Sequence, residues 1–129
     1  MGSQQLLLIV LSMVLVGVAL AVAISMFQAN AVESNRSAIT DDLLYFATRA
    51  REYYWRPTSL GGGNRSFLGI PSLRFLSQMT ENENGRYYLV STSQHELVIM
   101  GIGKIMVGSD STQVQVIVNE QTNTFQVIH

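Results

Sequence analysis

The side chains able to do chemistry in this chain are few, and their spacing limits what they could do. His95 and His129 are its two histidines, and it has no cysteine. Without cysteine there is no thiolate nucleophile, no disulfide and no thiolate metal site. Asp110 stands alone near the strand-like segments, so neither a nucleophile–base pair nor a metal triad assembles around either histidine. His95 falls in a short polar linker, where a solvated side chain is expected, and His129 is the last residue. "TENENG" (residues 80–85) alternates oxygen-bearing side chains and ends in glycine, loosely like a calcium loop. It lacks the distal bidentate acid at the required spacing, so a solvated turn is the expectation. These residues point away from catalysis and imply no cofactor or metal.

Two "NRS" triplets, at Asn35 and Asn64, match the glycosylation acceptor pattern, and Asn64 in a glycine-rich stretch is the better candidate. Tyr45, Tyr53, Tyr54 and Trp55 cluster; most are expected to pack on apolar neighbours, with their polar tips reaching partners at an edge. Eight basic against nine acidic residues give a net charge of −1, and Lys104 is the only lysine. No basic patch or stripe appears, which argues against nucleic-acid readout. A chain of 129 residues allows one domain of modest core plus an extension.

The extension is plain. Residues 6–24 read "LLLIVLSMVLVGVALAVAI", interrupted only by Ser12 and Gly17, and the first charge in the chain is Glu33. A secretory signal peptide begins with positive charge and has a shorter apolar stretch; "AVA" at residues 21–23 mimics its cleavage site, but the other features are missing. At ~1.5 Å per residue the run spans roughly 28 Å, close to the ~30 Å hydrocarbon core of a bilayer. It reads as a transmembrane helix, or as a helix held first in a membrane and later in the core of an assembly. Gly17, mid-run, costs roughly 1 kcal/mol against alanine. It marks either local unwinding or close approach of neighbouring helices.

No glycine or proline occurs between Gly17 and Pro57. Val32, Ile39, Leu43, Phe46, Ala50 and Tyr53 form one apolar stripe, opposite Glu33, Arg36, Asp41, Arg49 and Glu52. The spacing predicts one helix from about Ser3 to Trp55, ended by Pro57. Residues 57–72 read as a loop, and 73–79 as a short helical turn or a strand. Residues 86–92, 96–103, 112–119 and 124–129 carry strand signals with short connections, which predicts an antiparallel meander covered by the helix stripe. The expected class is therefore α+β, with residues 1–27 as an apolar helix. The globular domain is expected over 28–129, made of the half-helix 28–56, the loop 57–72 and the sheet 86–129.

This plan resembles a mature type IV pilin or a secretion-system pseudopilin. The carrying features are the near-terminal apolar run, its amphipathic continuation, the glycine-rich helix-to-sheet loop and the C-terminal sheet. The resemblance implies a structural subunit of an extracellular helical filament, held in the cytoplasmic membrane before assembly by a membrane platform and a cytoplasmic ATPase. Its partners would be further copies of itself, packed through Leu6, Leu7, Ile9, Val10, Met13, Val14, Gly17, Leu20 and Ile24. It implies that Met1 is a processed and N-methylated terminus. Gln5 stands where the family usually has a glutamate, so the inter-subunit contact to a neighbouring terminal amine would be a hydrogen bond without charge. That substitution also fits a minor pilin, and the cysteine pair of many pilins is missing. A monomeric single-pass membrane protein with a small extracytoplasmic binding domain is the reading from a different class.

Overall fold

The structure, a computed structural model, describes residues 2–128. Its class is α+β. Helix α1 runs unbroken over Gly2–Trp55, and the C-terminal part is a four-stranded antiparallel sheet in the order β1-β2-β3-β4. The strands are β1 Gly85–Thr92, β2 Glu96–Val107, β3 Asp110–Asn119 and β4 Asn123–Val127. By compactness the chain divides into two units, Met1–Ala31 and Val32–His129.

In the first unit, the run is built from residues compatible with a helix, with no proline to remove a ladder bond. Its polar interruption is satisfied internally: the Ser12 hydroxyl donates to the Leu8 carbonyl at 2.8 Å. In the second unit, α1 ends where Pro57 disfavours helical backbone at Arg56. The loop then folds back over the helix end. The amides of Gly63, Asn64 and Arg65 donate to the carbonyls of Tyr53, Arg56 and Tyr54 at 2.8, 3.0 and 2.6 Å. These bonds satisfy carbonyls that a helix end leaves without partners. Residues 73–75, open between turn and strand in the sequence, form a 3-10 turn, Leu73–Phe75.

The core belongs to the second unit. α1 contributes Ile39, Leu43, Phe46, Ala47, Ala50 and Tyr54, the loop Phe67, Ile70 and Leu73, and the sheet Tyr87, Leu97, Ile99, Val114, Val116 and Val118. β3 shows the alternation of a half-covered strand, with Thr112, Val114, Val116 and Val118 buried and their neighbours half-buried. Thr112 is satisfied by donating to the Ile105 carbonyl at 2.6 Å. Strand β2 continues four residues past Gly103, through a register shift between Ile102 and Met106, to a two-residue turn at Gly108 and Ser109. Gly108 has φ +65°, the left-handed region such turns require.

The helix sits hard against β2. A Cβ on Gly101 would lie 2.5 Å from Ile39 Cγ2, and one on Gly103 would lie 2.0 Å from Asn35 Oδ1. A side chain at Gly101 must displace the branched Ile39 and the Tyr87 ring, and one at Gly103 the Asn35 amide and the tip of Ile39. Two glycines a pleat apart thus form the seat of the helix.

Candidate assembly surface

Among the described residues, none covers the run. Every large apolar residue from Leu6 to Phe27 is at least half exposed, from 52% at Leu11 to 75% at Phe27. The named packing positions Leu6, Leu7, Ile9, Val10, Met13, Val14, Leu20 and Ile24 all belong to this set. Gly17 lies among them with nothing within 4 Å of a Cβ built on it beyond its own helix backbone. Gln5 is exposed in the first turns of α1, which carry no acidic residue. Met1 and His129 lie outside the described residues. α1 is long and apolar enough to cross a membrane. Burying such a side chain fully is worth ~1.5–3 kcal/mol, so more than a dozen left in water would dominate the behaviour of the chain. A contiguous apolar surface of this size marks contact with lipid or protein.

The amphipathic stripe lands as follows. Ile39, Leu43, Phe46 and Ala50 are buried in the core, while Val32 is half-buried and outside it. Tyr53 is half-buried against the core with its ring edge-on to Phe75, centroids 5.1 Å apart. Tyr54, one position on, is the fully buried tyrosine. Its hydroxyl donates to Glu120 Oε2 at 3.0 Å and lies 2.8 Å from His95 Nδ1. Burial, and then the bond to Glu120, push the Tyr54 phenol upward. The Trp55 indole donates to the Glu120 carbonyl at 3.2 Å. The end of α1 therefore ties together the β1–β2 and β3–β4 turns. His95 is exposed but engaged in this tie.

A second polar cluster fastens the other flank. Asp42 Oδ2 accepts from Asn82 Nδ2 at 2.9 Å, from Asn84 Nδ2 at 3.0 Å and from the Tyr87 hydroxyl. Burial raises the Asp42 carboxyl, but the bonds from Asn84, Tyr87 and Asn82 outweigh it and hold the group below its ordinary value. Tyr87 is pushed up by burial and by the bond to Asp42. Asn82 Oδ1 in turn accepts the amides of Asn84 and Gly85 at 2.8 and 3.2 Å. "TENENG" is thus a turn docked on the helix through one carboxylate. Of the two acceptor triplets, Asn64 is exposed on the loop at φ 50°. Asn35 is half-buried, and its amide donates to the Asn84 carbonyl at 3.0 Å.

Among the described residues no group of three or more histidine, cysteine or acidic side chains is placed to hold a metal. The sequence reading gave the aromatic tips partners at an edge without naming His95 or Glu120, and had no sign of the Asp42 cluster, because the partners lie 40 or more residues apart in the chain. No family model, no curated protein and no solved structure matches the chain.

Proposed function

We propose that the chain is a structural subunit of an extracellular helical filament of the type IV pilin kind. One observation carries this reading: a single unbroken helix has a wholly exposed apolar first part, while its second part supplies one side of a closed core. The first part is satisfied by lipid or by other copies of itself. The subunit would wait in the cytoplasmic membrane with α1 as anchor, and assembly would move the run into a bundle of identical helices at the cell surface. The pilin-like order of elements, helix then loop then antiparallel sheet, supports the same reading. The partners are then further copies and an assembly machinery, with no catalysis and no cofactor. Gln5, which brings no charge to a neighbouring terminal amine, keeps a minor subunit or a pseudopilin within the class.

The test is electron microscopy of material sheared from expressing cells, with the subunit identified in it by mass. Filaments containing the chain support the reading. A subunit found only in membranes under every growth condition overturns it in favour of the single-pass reading.

A further inference from the structure

Within the second unit, α1 has two flanks left and right of its buried face, and each carries a groove. One, of about 270 Å³, is lined by Glu33, Arg36, Ser37, Thr40 and Asp41 of α1 and by Val127 of β4. The other, of about 210 Å³, is lined by Arg49, Glu52, Tyr53 and Arg56 of α1, with Phe75 and Leu76 from the loop. Around the helix at ~100° per residue, Glu33 and Ser37 project on one side of the core stripe, Arg49 and Arg56 on the other, and Asp41 at the outer edge of the first side, almost opposite the stripe.

The two grooves are opposite in charge. In the first, Glu33 pairs with Arg36 at 3.6 Å and leaves Asp41, whose carboxylate has no partner among the described residues. In the second, Arg49 pairs with Glu52 at 3.9 Å and leaves Arg56, whose guanidinium has no partner among the described residues. Each also offers uncovered apolar surface. Val127 is 61% exposed on the first side, and Phe75 is 50% exposed on the second. β4 faces α1 through Phe125 and Val127, which pair with the buried Val116 and Val114, yet the helix leaves both partly open.

We infer that the β4-side groove takes the Arg56 flank of a second copy of this chain. Asp41 of one copy meets Arg56 of the next, and Val127 meets Phe75. Because the two surfaces differ, the contact is head to tail and leaves a free surface at each end, the geometry that propagates into a helix when it does not close. With parallel helices the grooves lie about fifteen residues apart along α1, so successive copies step by roughly 23 Å at ~1.5 Å per residue. The contact deepens the filament reading and rests on it only for repetition; pairing itself needs two copies.

The chain has no cysteine, so introduced thiols are unique. Ser37→Cys and Glu52→Cys place one in the lining of each groove, at exposed helix positions. The full-length chain, in membranes and in any sheared material, is treated with a short thiol-specific cross-linker. The double variant is expected to give a ladder beyond the dimer, an equal mixture of the two single variants a dimer only, and each single variant alone only monomer. Asp41→Arg in the double-thiol background should abolish the ladder, and adding Arg56→Asp should restore it. No ladder, dimers from a single variant alone, a cross-link to a different protein, or failure of the charge swap to restore would each overturn the contact. Filaments without the ladder refute this contact and leave the filament reading standing. A ladder without filaments supports the contact and refutes that reading.

Discussion

Gly17→Leu separates a lipid anchor from a packed filament core, because the structure makes its effects differ in sign. Within the chain, a side chain at Gly17 meets nothing within 4 Å apart from the helix backbone. Replacing a mid-helix glycine by a good helix former gains ~0.8–1 kcal/mol, and leucine at a bilayer-embedded position favours insertion by about 0.3–0.6 kcal/mol. Alone or in lipid, the variant is therefore the better membrane helix, by about 1–1.5 kcal/mol. In a bundle of copies the added bulk enters a close-packed interior, where overpacking costs about 1–3 kcal/mol. The helix gain cancels, since α1 is helical in both places, and the extra affinity for lipid adds to the cost of leaving it. The sum is about 1.3–3.6 kcal/mol, and at 1.4 kcal/mol per factor of ten each subunit addition weakens roughly eightfold to four-hundredfold.

The assay is paired: subunit in the membrane fraction beside subunit in sheared filaments, by quantitative immunoblot. Unchanged or raised membrane abundance with a sharp loss of filament is the expected result. Filament yield at the wild-type level would show that bulk at Gly17 meets lipid or open space in the assembled state, and would refute the packed-core argument. Val14→Lys is the control that should lower both, since a charge there has no partner in lipid or bundle.

Three further outcomes are expected. Gly101→Ala pushes a methyl to 2.5 Å from Ile39 Cγ2 and 3.0 Å from the Tyr87 ring. It should cost about 1–2 kcal/mol net of the backbone entropy gained, lowering the unfolding midpoint by ~4–8 °C per kcal/mol, with Trp55 fluorescence as the readout; an unchanged or higher midpoint would mean that α1 is not seated on β2. Asp42, held below its ordinary value, binds a proton more weakly folded than unfolded, so its contribution is present above pH ~4 and is lost as pH falls through the folded value. Asp42→Ala should cost about 1–3 kcal/mol at neutral pH by stranding the buried Tyr87 hydroxyl, and should flatten the acid limb of stability against pH; an unchanged acid limb would remove Asp42 as its source. Deleting residues 1–27 should leave a soluble, folded monomer, checked by sedimentation and circular dichroism, and filaments formed by this fragment would rule out the apolar run as the main assembly element.

Periodicity carried the fold a long way. The change from an apolar run to a stripe at seven, four and three residues located the helix and the side of it that turns inward, and the valines at 114, 116 and 118 marked the covered face of β3. The stripe as read ends at i+3, on Tyr53, where i+4 is the position the core buries. After Ala50, Tyr53 and Tyr54 are both admissible, and the loop decides: Phe75 draws Tyr53 outward, while Phe67, His95 and Glu120 close over Tyr54. The glycines at 101 and 103 read as the end of a strand, whereas they are its point of closest approach to the helix, and β2 runs on to Val107. Asp42 carries no signal in the sequence pattern, because its three donors come from the turn and from β1, which no local pattern announces.

The core also shows that the fold of the globular unit does not draw on the apolar run. Among the described residues, none before Ile39 belongs to the core cluster, and the polar ties join α1 from Asn35 onward to the loop and sheet. Substitutions distant from one another and without shared partners add in their effects. A change in the run therefore alters where the chain goes without altering whether its globular unit folds, and a change at Gly101 does the reverse. The double variant Gly17→Leu with Gly101→Ala should lose filament as Gly17→Leu does and lose thermal stability as Gly101→Ala does, with no coupling beyond ~0.5 kcal/mol. A larger coupling would mean that the run takes part in the fold of the globular unit, and that its apolar surface is not reserved for lipid and for other copies.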